Sequence, residues 1–233
     1  MTLQYLHDHE NTFGLEINRE YVDPSGKSKP IRDGIVCPEE YLAAKPRILW
    51  VLKEPWDEED RSGGGWSLTK DILFAKHAGQ RANRTFAPIT YLTHGIYSGE
   101  KWDDMPDIPD KPEMLRELLK IGFINVRKLP GLKQSSYSEI WSAYVKWGDI
   151  VHRQIEAYQP DLVFGCKPHL PSIAKHFGVA EEDWKNNGHV RYATKGGRSY
   201  FSVWHPAHRR KRQRWVDEIL EAVKVAREAP AEP

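Results

Sequence analysis

The sequence predicts an α/β fold, namely a three-layer α/β/α sandwich around a central, mostly parallel four-stranded sheet. Short apolar runs alternate along the chain with segments of helical periodicity, an alternation typical of strands joined by crossover helices. The run at 47–52 is apolar after its first residue, as expected of a strand that is buried on both faces. A length of 233 residues and a hydrophobic content of 39% are sufficient for one such core.

The first half of the chain is less regular than the second. The strand predicted at 47–52 ends before Pro55, and the long irregular stretch at 57–111 contains one predicted helix near 68–78. Long loop-rich regions between core elements often build binding clefts. The predicted division of the chain is an appended polar N-terminal segment, one α/β domain and a short tail, at residues 1–35, 36–228 and 229–233.

The second half alternates helices and strands. Pro112 near the start and Gly122 at the end favour a helix between them, and apolar residues at positions 140, 144, 147, 151 and 155 form one helical face. A Gly-Gly pair between two alternating runs predicts a strand pair with a tight turn. The remaining predicted elements are strands at 123–126 and 161–165, a helix at 170–178, the strand pair at 189–204 and a last helix at 212–227.

Composition excludes several classes of function. The formal net charge is only +1, so any nucleic-acid surface has to come from local clustering, and the densest basic cluster is at 209–214. Cys37 and Cys166 are too few for a four-ligand zinc or iron–sulfur site and are expected to be free thiols. The stretch "HDHE" at 7–10 is expected to be solvated, and no metal or cofactor is predicted.

The chain carries no sign of export or membrane insertion. Its N-terminus lacks the basic and apolar regions of a secretory signal, and no apolar run approaches the roughly 20 residues that span a bilayer. We therefore expect a cytoplasmic protein without membrane contact, and a monomer.

Ligands of parallel α/β sheets bind beyond the carboxyl ends of the strands. The residues expected at that edge are Lys53, Glu54 and Trp56 after the first strand, Asn125, Arg127 and Lys128 after the second, Gly165 and Cys166 after the third, and His205 and His208 after the last. A carboxylate and a histidine across a cleft can share a hydrolysis, and an asparagine amide suits the edge of a nucleobase. With tryptophans to stack on the base, these groups suit removal of a flipped-out base from nucleic acid.

Several motifs resemble those of the uracil-DNA glycosylase superfamily. The family's second motif stands here as His205-Pro206-Ala207, and its first motif corresponds to "LKEPW" at 52–56. The stretches "EPWDEEDRSGGGW" at 54–66 and "FINVRKLPG" at 123–131 resemble the family's iron–sulfur-containing branch. That branch needs four cysteines and this chain has two, so the cluster is expected to be absent.

The resemblance implies a role for each matching residue. Glu54 falls where the family positions the attacking water, and His205 where it stabilises the negative charge of the departing base. Trp66 would stack on the extruded base, Asn125 would hydrogen-bond it, and Trp56 would form a wall of the pocket. The DNA-binding residues expected around them are Lys53, Arg127, Lys128, His208, Arg209, Arg210, Lys211 and Arg212, with the basic run continuing to Arg214.

The implied activity is that of a monofunctional DNA glycosylase, which leaves an abasic site in single- or double-stranded DNA. Uracil or a modified pyrimidine is the expected target, including a modified phage base in antiviral defence. Two alternatives stay open, a non-catalytic DNA- or nucleotide-binding member of the fold and a hydrolase of free nucleosides or nucleotides. Each residue also has a plain structural interpretation: a His-Pro turn, a loop carboxylate, an asparagine at a strand end and a core tryptophan.

Overall fold

The computed structural model describes residues 1–57, 63–70, 85–132, 136–207 and 211–228. The chain is an α/β protein with one mixed sheet. Its strands are β1 Gly34–Ile35, β2 Ile48–Leu52, β3 Ile121–Asn125, β4 Leu162–Cys166, β5 Lys185–Asn187, β6 Val190–Lys195 and β7 Arg198–Val203. The α-helices are α1 Leu3–Glu20, α2 Pro38–Ala43, α3 Phe86–Ser98, α4 Tyr137–Tyr158, α5 His169–His176 and α6 Arg212–Glu228, and 3-10 segments span Trp102–Asp104, Pro112–Lys120 and Glu181–Asp183.

The sheet has seven strands in the order β1-β3-β2-β4-β7-β6-β5, so the predicted number of four was wrong. Its central strands β3, β2, β4 and β7 are parallel neighbours, as the alternating pattern predicted. The additional strands β1, β6 and β5 pair antiparallel at the two sides. β1 has only two residues and β5 is the polar tripeptide "KNN", so neither produces a recognisable apolar pattern.

Helices cover both faces of the sheet, because successive side chains of each central strand point to opposite sides. Trp50 of β2 belongs to one apolar cluster, which also contains buried residues of α3 and α6. Leu49 and Val51 belong to a second cluster with buried residues of α1, α4 and α5. The central strands are therefore buried on both sides, which explains their almost continuous apolar sequences.

Two of the predicted segments fold as expected, namely the helix at 139–157 and the hairpin with the Gly-Gly turn. The apolar helical face predicted at 139–157 lies within α4, where Ile140, Val151 and Ile155 are buried. The Gly-Gly turn between β6 and β7 has φ values of +57° at Gly196 and +77° at Gly197, as a two-residue hairpin turn of this kind requires. The predicted helix at 112–122 is instead a 3-10 helix that runs directly into β3, and the helix predicted near 68–78 lies largely in 71–84, outside the described residues.

The N-terminal segment contributes to the core. Leu6, Phe13 and Ile17 of α1 are buried in the second apolar cluster, and β1 pairs with β3. The tail at 229–233 lies outside the described residues. None of the helices within the described ranges is both long and apolar enough to cross a bilayer.

The strand order predicts a crevice between β2 and β4. From β2 the chain passes to β3 on one side and then crosses back to β4 on the other side of β2. Such a reversal of strand order leaves a gap between the two connections at the carboxyl ends of the strands, and ligands of open α/β sheets bind at these points. The candidate site is therefore expected around the residues that follow β2 and β4.

Candidate functional site

The predicted site residues follow one another along the carboxyl edge of the sheet. Asn125 ends β3, Lys53 and Glu54 follow β2, Gly165 and Cys166 end β4, and His205 comes two residues after β7. Because neighbouring strands are about 4.8 Å apart, the ends of β3 and β7 are separated by roughly 14 Å. The topology thus brings together groups that lie 80 residues apart between Asn125 and His205 in the sequence.

The carboxylate of Glu54 is held inside the protein. Its side chain is only 2% exposed, and its Oε2 lies 3.1 Å from Nη1 of Arg127. Gly131 packs directly against it, so that a Cβ atom at that position would come within 1.9 Å of the carboxyl carbon. The Arg127 backbone N–H donates to the carbonyl of Lys53 at 2.9 Å, which ties the loop after β3 to the loop after β2. Glu54 therefore forms a fixed ion pair beneath the edge of the sheet.

Asn125 has a buried amide with an unmet donor. The residue is 1% exposed, and its Nδ2 has no hydrogen-bond acceptor among the described residues. Its backbone N–H donates to Oδ2 of Asp33 at 2.6 Å, which fixes the end of β3. A buried polar atom without a partner costs free energy, so it is a natural point for a ligand acceptor.

Lys128 has an internal role in place of the predicted DNA contact. Its side chain is fully buried, and its ammonium donates to both carboxylate oxygens of Asp33, at 2.9 and 2.8 Å, and to Oε1 of Gln154 at 2.8 Å. Burial lowers the pKa of Lys128, and the negative charge of Asp33 opposes that shift. The predicted DNA contact of Lys128 is therefore wrong, since a basic residue after a strand can point into the core as readily as into solvent.

The two tryptophans of the stretch at 54–66 differ in their surroundings. Trp66 is partly buried against the first apolar cluster, and its indole N–H donates to Oδ2 of Asp57 at 2.9 Å. The same oxygen accepts from the backbone N–H of Gly64 at 2.7 Å, so Asp57 holds the loop that carries Trp66. Trp56 is largely exposed, and its backbone forms a bridge with Gly131.

His205 has a defined orientation at the end of β7. The backbone N–H of Ala207 donates to its Nδ1 at 3.1 Å, so in the neutral ring the proton is on Nε2. The carbonyl of Trp204, just before it, accepts from the indole N–H of Trp215 at 3.1 Å, which fixes the turn against α6. A neutral imidazole held in this way presents an N–H donor.

The basic run that follows is only partly described. His208, Arg209 and Arg210 lie outside the described residues. Lys211 is exposed, whereas the guanidinium of Arg212 lies 5.9 Å from the ring centroid of Tyr91. Arg214, further on, pairs with Glu218 at 2.7 Å. Of the described part of this run, Lys211 is the predicted DNA contact with the most open surroundings.

Sequence reasoning missed His169, which begins α5 after β4. The residue is 4% exposed, its Nδ1 has no partner among the described residues, and Tyr137 stacks on its ring. Burial, followed by the positive charge of Lys53, lowers the pKa of His169 to about 4, so the ring is neutral at pH 7. Its position shortly after a central strand is the signal that could have identified it. Cys166 is also buried, and burial raises the pKa of its thiol to about 12.

No protein-family model and no curated protein matches this chain. Beyond the ends of β3, β4 and β7 lie three polar groups suited to a planar ligand: the amide of Asn125, the imidazole of His169 and the imidazole of His205. Asn125 and His169 each keep one buried nitrogen unpaired among the described residues. Such an arrangement can bind a ring with polar edges and stabilise charge that develops on it.

Proposed function

We propose that the protein is a monofunctional DNA glycosylase, which hydrolyses the N-glycosidic bond of a flipped-out uracil or modified pyrimidine and leaves an abasic site. The observation that carries the proposal is the unpaired Nδ2 donor of buried Asn125, at the same sheet edge as His205. Helices on both faces of a sheet with four parallel central strands support the three-layer α/β/α sandwich that the proposal assumes.

Asn125 would select the base by its hydrogen-bonding edge. An asparagine amide offers one donor and one acceptor, which matches a base that presents a carbonyl oxygen beside a ring N–H, as uracil does. Cytosine has an exocyclic amine in place of that carbonyl, so an N–H donor of the base would face the Nδ2 donor of Asn125. The unmet Nδ2 donor therefore favours uracil or another pyrimidine that keeps the carbonyl.

His205 would stabilise the departing base. As the glycosidic bond breaks, electrons pass to the base and negative charge grows on its carbonyl oxygen beside the bond. The Nε2–H of a neutral His205 can donate to that oxygen, because Nδ1 already accepts from Ala207. A preorganised donor of this kind is typically worth about 10²–10³ in rate. The sugar becomes cationic at the same time, and the buried negative charge of Glu54 would favour that cation and orient the attacking water.

The proposal is tested by base release from oligonucleotides that carry uracil, hypoxanthine, or 5-substituted cytosines and uracils, together with modified phage DNAs. Mass spectrometry of the released base and alkali cleavage of the abasic strand are the readouts. On the best substrate we expect His205→Ala to reduce the rate about 10²-fold or more and Asn125→Ala to reduce it strongly. His7→Ala, at a half-exposed histidine of α1, is the control and should match the wild-type rate. Wild-type release by folded His205→Ala would refute the assigned role.

A second candidate, a binding protein without hydrolysis, is favoured by the surroundings of Glu54. Its carboxylate is enclosed by Arg127 and Gly131, an arrangement that suits a structural ion pair as well as a group that orients water. The two candidates differ in the alkali test. A binding protein retards DNA in a gel and leaves no alkali-labile site with any base in the series, whereas a glycosylase leaves such sites.

A further inference from the structure

Three rings form a nearly parallel column that begins at His169, three residues after the end of β4. The ring of His169 lies 5.0 Å from that of Tyr137, with 16° between their planes. The ring of Tyr137 lies 6.4 Å from that of Trp141, with 12° between their planes. Tyr137 and Trp141 are one helical turn apart on α4, and the column continues inward to buried His169 at the start of α5.

The outer two rings of this column face solvent. Tyr137 is 56% exposed and Trp141 is 38% exposed, although both are large aromatic residues on a helix with a well-packed opposite face. Among the described residues, the exposed large hydrophobics also include Trp56 and Leu132 from the loops after β2 and β3, and Val145 one turn beyond Trp141. Exposed aromatic residues gathered around a candidate site mark a binding surface more often than isolated ones do.

The surroundings of the column are polar and cationic at its inner end. Lys53 lies close enough to His169 for its charge to act on that ring, and Lys53 follows β2 at the crevice. The Nδ1 atom of His169 is buried and unpaired among the described residues. A ligand with flat rings and an anionic backbone fits such a surface, because a ring can stack on the outer face of Trp141, which Tyr137 supports from the inner side, while phosphate lies near Lys53.

We propose that Trp141, supported from behind by Tyr137 and His169, forms a stacking surface for unpaired nucleobases that flank the target nucleotide, so that the protein favours single-stranded DNA. The choice of nucleic acid as the ligand rests on the proposed function, whereas the stacking surface itself is a binding property that can be measured without base excision. Bases within a duplex have their faces covered by their neighbours, so a duplex would gain less from this surface.

The test is fluorescence anisotropy with an end-labelled oligothymidylate of 12 nucleotides and with a duplex of equal length. We expect Trp141→Ala to weaken single-strand binding at least fivefold, because it removes the stacking ring. Tyr137→Ala should weaken it by a smaller factor, because it removes the ring that supports Trp141, and both effects should be smaller on the duplex. Tyr137→Phe and Trp141→Phe keep an aromatic face and should stay within about twofold of the wild type. Leu15→Ala, at an exposed residue of α1, is the control and should have no effect. Circular dichroism and thermal melting of each variant confirm that it is folded.

Unchanged single-strand affinity in both folded alanine variants would overturn the inference. An equal loss with Val145→Ala would also overturn it, because that result would indicate an apolar docking surface for a protein segment. A change from oligomer to monomer in the alanine variants, measured by sedimentation, would overturn it too, because it would indicate contact with a second copy of the chain. Failure of the proposed function can be distinguished from failure of the stacking surface. If no base is released from any substrate, the anisotropy result still stands, and if stacking fails while the wild type releases a base, the glycosylase proposal survives.

Discussion

At the scale of single residues, the interior beneath the candidate site contains a charged pair. The Lys128 ammonium has three hydrogen bonds, two to Asp33 and one to Gln154, and both charged side chains are fully buried. Asp33 also accepts from the backbone of Asn125, so the pair fixes the strand end that carries the base-reading amide. Removing one member of such a pair leaves the other charge buried and uncompensated.

We therefore expect Lys128→Met to lower the free energy of unfolding by about 3–5 kcal/mol. Lys120→Met is the matched control, because Lys120 pairs with Glu117 at 2.7 Å and its side chain is 33% exposed. That control should cost at most about 1 kcal/mol. Urea denaturation measures both variants, and a loss below about 1 kcal/mol for Lys128→Met would contradict the importance of the pair.

Gly131 is a second residue that matters to the site, because it has no side chain. A Cβ atom there would collide with the carboxyl group of Glu54, whereas Gly14 on α1 has room, with Arg32 Cδ at 3.4 Å. Gly131→Ala should thus destabilise the protein by about 1–3 kcal/mol through overpacking. Gly14→Ala should be neutral or stabilise it by up to about 1 kcal/mol, since alanine favours a helix. The comparison uses thermal or urea unfolding, and a stabilising Gly131→Ala would show that Glu54 is not held as described.

At the scale of elements, α1 is joined to the sheet through Glu10. Its carboxylate accepts from the backbone N–H of Ile35 in β1 at 3.2 Å. Burial raises the pKa of Glu10 from 4.5 to about 7, while hydrogen bonds from Tyr158 and Ile35 partly oppose the shift and Asp33 adds to it. Between these two pH values the folded chain keeps a proton that the unfolded chain releases. The free energy of unfolding therefore falls as the pH rises through this window.

Glu10→Gln removes this titration, because glutamine resembles the protonated acid. We expect the variant and the wild type to be similar near pH 4.5 and the variant to be more stable by on the order of 2–3 kcal/mol above pH 7. Glu20→Gln, at an exposed acid on the same helix, should differ from the wild type by less than about 1 kcal/mol at either pH. Urea unfolding at pH 5 and pH 8 measures the difference, and a value that does not grow with pH would exclude a buried proton on Glu10.

Elements with a sustained hydrophobic periodicity or a strong turn signal could be predicted from the sequence. The heptad-like face of α4, the Gly-Gly hairpin and the apolar β2 follow from local patterns that tertiary packing does not override. β1 and β5 could not be recognised, because a two-residue strand and a polar edge strand have no pattern of their own and exist only by pairing with β3 and β6. The 3-10 geometry of Pro112–Lys120 likewise has no separate sequence signal.

At the scale of the whole molecule, the same limit applies to the candidate site. The parallel arrangement of the central strands follows from alternation, and the rule that ligands bind at their carboxyl ends identified Glu54, Asn125 and His205 as edge residues. The rule does not say which side chains turn inward. Lys128 is therefore predicted to contact DNA at the surface, whereas the structure buries it. His169 lies at the same edge and is not among the predicted site residues. Burial is decided by contacts between segments distant in sequence, which a single sequence does not reveal.

The charge of the whole molecule leads to a last prediction. With 34 basic and 33 acidic residues, the overall field attracts DNA weakly, so the salt dependence of binding has to come from local cations. Lys211 is exposed at the start of α6, and Lys224 is exposed on the same helix about 20 Å further along. If the start of α6 contacts phosphate, Lys211→Ala reduces the slope of log K against log salt concentration by about 1, and Lys224→Ala leaves it unchanged. Titrations of labelled DNA between 50 and about 200 mM salt measure the slope. Equal slopes in all three proteins would exclude Lys211 from the DNA interface.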